Sequence, residues 1–347
     1  MNQATLKKTK RKWLWVGLCL CAIVLILLPY MMDRERLVLD KKLRQKAPGH
    51  FTKLSTTGST HFRTWGNPKH PALILVHGFN GPLTTWNKIA PELAKAGYYV
   101  LAYDLAGRGF SDRPRLKYEL SLFVKQLQEL LQNQKLTKKP VTLIGSSFGC
   151  VVSTAFALRY PKQIKDLVLI GPAGFPAPSE RMKWLLKIPY LSDYLYRIIG
   201  DRMMYRATRK YYVHPERYPE AHKDFLFQQS VKGFKYAALS TLRNAPLHHN
   251  EKNWAQLGKS KREVLLLWGK KDVSFPYKNT VLAKKLIPQA QLVTVEKAAH
   301  LPHYELPQFV QSKVLGYLAK RFPPFAKAST QTSKETTPNT RLAPSSK

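Results

Sequence analysis

Apolar residues in this chain fall into short unbroken runs, each closed by a turn residue and followed by a stretch of helical spacing. Ala72–Val76 reads as a buried strand ending in His77-Gly78, and Tyr98–Tyr103 as another ending in Asp104. Tyr118–Leu136 repeats its apolar residues at helical spacing, and Val141–Ile144 is a short buried strand. Cys150–Tyr160 follows as a helix stopped by Pro161, and Ile164–Ile170 is a strand ended by Gly171-Pro172. Val264–Trp268 and Leu292–Val295 are strands with helical patterns behind them. Continuous apolar strands alternating with helices predict an α/β fold with a mostly parallel sheet covered on both faces. Residues 173–257 break the rhythm. They hold no clear buried strand and are rich in Tyr, Trp, Met, Arg and Lys, with helical spacing around Met182–Ile199. This predicts a helical insertion over the carboxyl edge of the sheet, where α/β enzymes bind ligands. Residues 323–347 are Ser, Thr, Lys and Pro with little to bury, which predicts a disordered tail.

The N-terminus is different in kind. Residues 1–12 are basic, and Trp13–Met32 carries no charge. About 20 residues at 1.5 Å each match the 30 Å of a bilayer core. Trp13, Trp15 and Tyr30 lie near its ends, where amphipathic rings suit the interface. The run is long for a signal peptide, and Leu27-Leu28-Pro29-Tyr30 offers no small-residue cleavage site. The reading is an uncleaved transmembrane anchor. Basic residues flank it on both sides, so orientation rests on the tight cluster Lys7, Lys8, Lys10, Arg11 and Lys12. That cluster favours a cytoplasmic N-terminus and a large domain outside the cytoplasm. Residues 33–60 read as a polar, basic linker.

Composition adds two constraints. The 347 residues with 44% hydrophobic content can bury one large domain, and three cysteines cannot staple it. Lys and Arg number 57 against 21 acidic residues, a formal charge of +36. Such an excess suits an anionic partner, such as a lipid surface. No recognised nucleic-acid motif accompanies it, so nucleic acid is not expected as a partner.

The densest chemical signal is Gly145-Ser146-Ser147-Phe148-Gly149, a G-x-S-x-G pattern between a predicted strand and a predicted helix. A serine at such a turn has strained backbone angles and is pushed out over the sheet. Its hydroxyl needs a base. His300 follows the last predicted strand; His303 is the local competitor. The imidazole needs a carboxylate to fix its tautomer. Asp272 follows strand Val264–Trp268, and Asp104 is the runner-up on an earlier strand. The order Ser147, Asp272, His300 is the order expected of this architecture. The oxyanion of a tetrahedral intermediate needs backbone N–H donors. Phe148 supplies one, and Phe79 in the loop His77–Gly81 the other. His77 is expected to support that loop. No metal-ligand spacing occurs, and the proposed chemistry requires no cofactor.

The segments HGFNG, YDLAGRGFSDRP, GSSFG, WGKKD and AAHLPHYELP occur in order, and with them the chain resembles the α/β-hydrolase superfamily over residues 61–322. It is similar to the capped esterase and monoacylglycerol-lipase-like branch and to the carbon–carbon bond hydrolases. The resemblance implies an α/β-hydrolase fold with a helical cap. It implies that Asp104, Arg108, Ser111 and Asp112 are structural. A serine at the elbow argues against the dehalogenase and epoxide hydrolase chemistry of the fold, which uses a carboxylate nucleophile. The first expectation is a serine hydrolase of lipid-like carboxylic esters, held at a membrane. One alternative is hydrolysis of a carbon–carbon bond in a vinylogous diketone of the meta-cleavage-product type. Another is a non-catalytic ligand-binding protein on the same fold.

Overall fold

Eight strands hydrogen-bond in the order β1-β2-β4-β3-β5-β6-β7-β8 in a computed structural model that describes residues 3–178, 183–186, 188, 190–321 and 323. In chain order the elements begin with α1 (Gln3–Met32), α2 (Lys41–Arg44), β1 (His50–Leu54), β2 (Gly58–Trp65) and β3 (Ala72–Val76). Next come α3 (Ala90–Lys95), β4 (Tyr99–Tyr103), α4 (Leu120–Asn133), β5 (Val141–Ser146), α5 (Phe148–Arg159) and β6 (Ile164–Ile170). A helical excursion follows: α6 (Lys183–Leu186), α7 (Leu191–Arg209), α8 (Pro219–Ser230), α9 (Phe234–Asn244) and α10 (Glu251–Lys259). The chain returns through β7 (Val264–Gly269), α11 (Asn279–Leu286), β8 (Gln291–Val295), α12 (Pro302–Glu305) and α13 (Pro307–Arg321).

Strands β4, β3, β5, β6, β7 and β8 are parallel, while β1 and β2 add an antiparallel pair at one edge. The strand period of two explains the layers. Leu73 and Leu75 face a core shared with α3 and α13, whereas Ile74 and Val76 face the core under α4 and α5. Both faces are covered, so the central strands are apolar at nearly every position.

The segment read as a linker, residues 33–60, is largely built into the domain. It contains α2, β1 and the start of β2. Strand β1 lies on the sheet edge with only Leu54 fully buried, so its polar and charged residues concealed it. Strand β2 buries Thr60 and His61 rather than a run of aliphatics. Helix α1 runs on through the basic cluster, and Arg11–Met32 is long and apolar enough to cross a membrane. The tail 323–347 lies outside the described residues apart from Pro323.

Candidate active site

The turn between β5 and α5 is forced by contact. A Cβ on Gly145 would lie 2.6 Å from the Gly149 carbonyl oxygen, and one on Gly149 would lie 2.0 Å from that of Val76. Only glycine at both places lets strand and helix approach so closely. The residue between them, Ser147, sits at φ 53°, ψ −118°, in backbone space that non-glycine residues seldom occupy. Its N–H donates to the Ile170 carbonyl at 2.9 Å, which ties the turn to β6.

His300 Nε2 is 2.8 Å from the Ser147 hydroxyl oxygen. Its Nδ1 is 2.8 Å from Asp272 Oδ2. The other carboxylate oxygen, Oδ1, accepts the N–H groups of Ser274 (2.8 Å) and Phe275 (3.0 Å), which fix the acid's orientation. All three residues are buried, and the imidazole packs against the rings of Tyr211 and Phe275. The structure therefore brings Ser147, Asp272 and His300 into one hydrogen-bonded row, although they lie on three separate loops.

The competitors are engaged elsewhere. His303 is fully buried against the Trp86 ring, 4.4 Å between centroids. Burial, with His300 nearby, pushes its pKa down to about 3. Asp104 pairs with His61 at 2.6 Å and accepts the N–H groups of Leu83 and Phe110. Burial alone would raise the Asp104 pKa, but His61 beside it holds the carboxyl below its ordinary value. Asp166 sits near the start of β6 and pairs with Arg321.

Phe148 is the first residue of α5, so its N–H is among the four that a helix leaves without an intrahelical acceptor. The loop Gly78–Gly81 passes directly over the nucleophile: a Cβ at Gly78 would be 3.0 Å from Ser147 Cβ. Phe79 belongs to that loop and, with Gly78, lines the cavity above Ser147. Its carbonyl accepts Arg108 Nε at 2.6 Å, and the guanidinium faces its ring at 4.9 Å. Burial lowers the Arg108 pKa to about 10, which still leaves it charged at neutral pH. From α8, Gln228 donates to the Asn80 carbonyl at 3.1 Å and accepts Gly109 N–H at 2.8 Å. His77 accepts Leu105 N–H at Nε2 (2.9 Å), and its Nδ1 meets the Gly78 carbonyl at 2.7 Å. Burial drives its pKa down to about 4, so it stays neutral and acts as a brace.

Two parts of the site gave no signal in the sequence. Glu305 accepts Ala299 N–H at 2.6 Å and Val213 N–H at 2.7 Å, clamping the His300 loop to the chain after α7. The Tyr211 carbonyl accepts the N–H groups of His300 and Leu301. The contacts to Val213 and Tyr211 join residues about 90 positions apart, and no local pattern marks them.

The cavity above Ser147 is lined by the loop at 78–82 together with Thr208, Tyr211 and Tyr212 and residues of α8 such as Asp224 and Phe225. Its volume is about 40 Å³, room for about three waters. Asp224 on α8 accepts the Thr84 hydroxyl at 2.5 Å and Tyr211 receives Asn80 Nδ2 at 3.3 Å, so the helical layer rests directly on the sheet domain.

The profile of a family described as alpha/beta hydrolase fold matches residues 71–307. Lipase 1 of Psychrobacter immobilis is 30% identical over 247 residues, 69% of this chain and 74% of that protein. Rat monoacylglycerol lipase ABHD6 is 26% identical over 275 residues, 73% of this chain and 77% of that one. The 2-hydroxy-6-oxo-2,4-heptadienoate hydrolase of Pseudomonas putida is 39% identical over 114 residues, 31% of this chain and 38% of its own length.

Proposed function

Because this chain belongs to the α/β-hydrolase family, we propose that it is a membrane-anchored serine hydrolase that cleaves lipid-like carboxylic esters through an acyl-enzyme. Ser147 attacks the ester carbonyl while His300 takes its proton at Nε2. Asp272 holds the tautomer that leaves Nε2 free to accept, and stabilises the imidazolium. The N–H groups of Phe79 and Phe148 face the oxyanion. The leaving alcohol takes the proton from His300, and water then repeats the sequence to release the acid.

The observation that carries this reading is the bridging imidazole, 2.8 Å from the serine hydroxyl on one side and 2.8 Å from a doubly held carboxylate on the other. The lipase likeness extends over most of the domain and supports esters as the substrate class. The apolar span of α1 supports a membrane anchor, and the excess of basic over acidic residues supports an anionic lipid partner.

The test is turnover of p-nitrophenyl esters of graded chain length by the full chain in detergent, beside Ser147→Ala. The variant is expected to lose at least about 10⁴-fold in kcat. Folded wild-type protein that cleaves none of the esters would sink this reading. The local likeness to the heptadienoate hydrolase favours a second reading, carbon–carbon hydrolysis of a vinylogous diketone by the same three residues. Turnover of such a dienoate without ester turnover would establish it.

A further inference from the structure

Helix α1 contains Pro29, which has no N–H, so the carbonyl of Leu25 four residues earlier lacks its intrahelical donor. Leu25 lies about 10 Å inside the helix end, at 1.5 Å per residue. No water reaches such a carbonyl in hydrocarbon. The Tyr194 hydroxyl of α7 donates to it at 2.7 Å. Helix α7 packs along α1, so the first turn of this cap helix lies at the depth of the anchor's last turns.

A second set of contacts fastens the following segment to the same cap. Leu37 exchanges backbone hydrogen bonds with Ser230 and Lys232, at 2.8 Å each. The Glu35 carboxylate accepts the N–H groups of Gly233 and Lys235. Lys235, itself buried, pairs with Asp33 at 2.9 Å and Asp201 at 2.8 Å. The anchor thus grips the cap directly at two places.

Along α7 an exposed stripe runs through Ile199, Arg202, Met203 and Arg206, at offsets of three, four and seven from Ile199 that keep one face. Before it, Trp184 and Tyr190 are 61% and 88% exposed. Large apolar groups interleaved with cations suit the boundary between acyl chains and anionic headgroups.

We propose that this face of α6 and α7 is a lipid-docking surface: α1 and its clip hold Ile199 and Met203 at the headgroup boundary of an anionic bilayer and Tyr190, on the side of Tyr194 and Leu25, among the acyl chains beneath, with Trp184 beside them and Arg202 and Arg206 on lipid phosphates. The proposal rests on α1 being a membrane anchor and is independent of the chemistry at Ser147. It also gives the site a direction. The far end of α7 carries Thr208, which lines the cavity over Ser147. One helix therefore joins the lipid surface to the wall of the site, and the substrate enters from the bilayer side.

The test places the full chain in vesicles of phosphatidylcholine with and without phosphatidylglycerol. A polarity-sensitive fluorophore is attached at Tyr190→Cys or Ile199→Cys in a Cys19→Ser/Cys21→Ser background. Cys150 is buried and stays. Val281→Cys, 76% exposed on α11, is the reference. Labels at 190 and 199 are expected to emit at shorter wavelength and resist aqueous iodide in the anionic vesicles, while that at 281 remains quenchable. Arg202→Glu/Arg206→Glu should lower the protection at 199 severalfold without changing turnover of a short soluble ester. Tyr194→Phe should lower the protection at 190. Labels at 190 and 199 as quenchable as 281, in a chain that resists alkaline extraction, overturn the docking surface and leave the anchor intact. Release of the chain by alkali overturns the anchor and the docking surface together, and leaves ester turnover to be judged separately.

Discussion

Arg108 touches no reacting atom in the proposed mechanism, yet the position of Phe79 depends on it. Its Nε holds the Phe79 carbonyl, and its other end reaches Thr241 on α9 at 3.2 Å. A hydrogen bond to a charged group is worth about 1.5–3 kcal/mol. If the loop position is needed only in the transition state, Arg108→Met should lower kcat by roughly ten- to a hundredfold with KM little changed. Arg108→Lys should restore part of it, because it returns the charge without the planar fork. Steady-state kinetics on a short ester would check both. Equal losses in the two variants with an unfolded spectrum would instead make Arg108 a fold residue alone. The buried histidines give a second expectation. His77 and His303 have pKa values near 4 and 3 in the folded protein, against about 6.5 when unfolded. As pH falls below about 6.5 the unfolded chain gains protons that the native one refuses. Stability is therefore complete above that pH and declines toward pH 4 and 3, by up to roughly 1.4 kcal/mol per unit for each site. His303 has no hydrogen-bond partner among the described residues, so His303→Phe keeps the ring against Trp86 and removes one titration. Denaturant midpoints at pH 7 and pH 5 should lie closer together in the variant than in the wild type. Parallel profiles would contradict this.

At the scale of elements, the parts legible in the sequence are those that bury every position. Strand β3 is five apolar residues in a row, and β7 is nearly the same, so each could be read without its neighbours. The elbow was legible because glycine spacing and a strand–helix junction coincide in five residues. Strands β1 and β2 were not, since an edge strand keeps one side wet and β2 places His61 and Thr60 inside. The pairing of His61 with Asp104 depends on two strands that are not adjacent in sequence. The loop of His300 shows the limit most clearly. Its sequence placed the histidine; its fastening to Val213 through Glu305 belongs to the cap. Glu305→Ala frees two part-buried N–H groups, each costing up to about 1–3 kcal/mol when left unpaired. The expected outcome is a protein that still binds a phosphonate at Ser147 but turns over esters at least tenfold more slowly. An unchanged kcat would show that Tyr211 alone holds the loop.

For the whole molecule, the segment after α1 and the cap must be considered together. A chain starting at residue 33 keeps the Asp33 and Glu35 contacts to the cap, whereas one starting at residue 41 loses both. Burial raises the Glu35 pKa even though it accepts two backbone N–H groups, so its carboxylate is held in a confined position. The shorter chain should melt several degrees lower, consistent with a loss of about 1–3 kcal/mol per unpaired buried group. Calorimetry of the two truncations would check it, and equal melting temperatures would show that the strap contributes nothing. On the proposed anionic surface the charge of +36 would cost less in self-repulsion than it does in solution.

The left-handed angles of Ser147 reach beyond its own reactivity. A residue held so costs of order 1–3 kcal/mol, and the cost is present in every folded copy whether or not substrate is near. Ser147→Gly would relieve it and, on the proposed mechanism, produce an inert protein that unfolds later than the active one. Ageing and activity are therefore opposed at a single codon. In any population of this protein exposed to heat without need of its chemistry, the silent copies would be the ones that last.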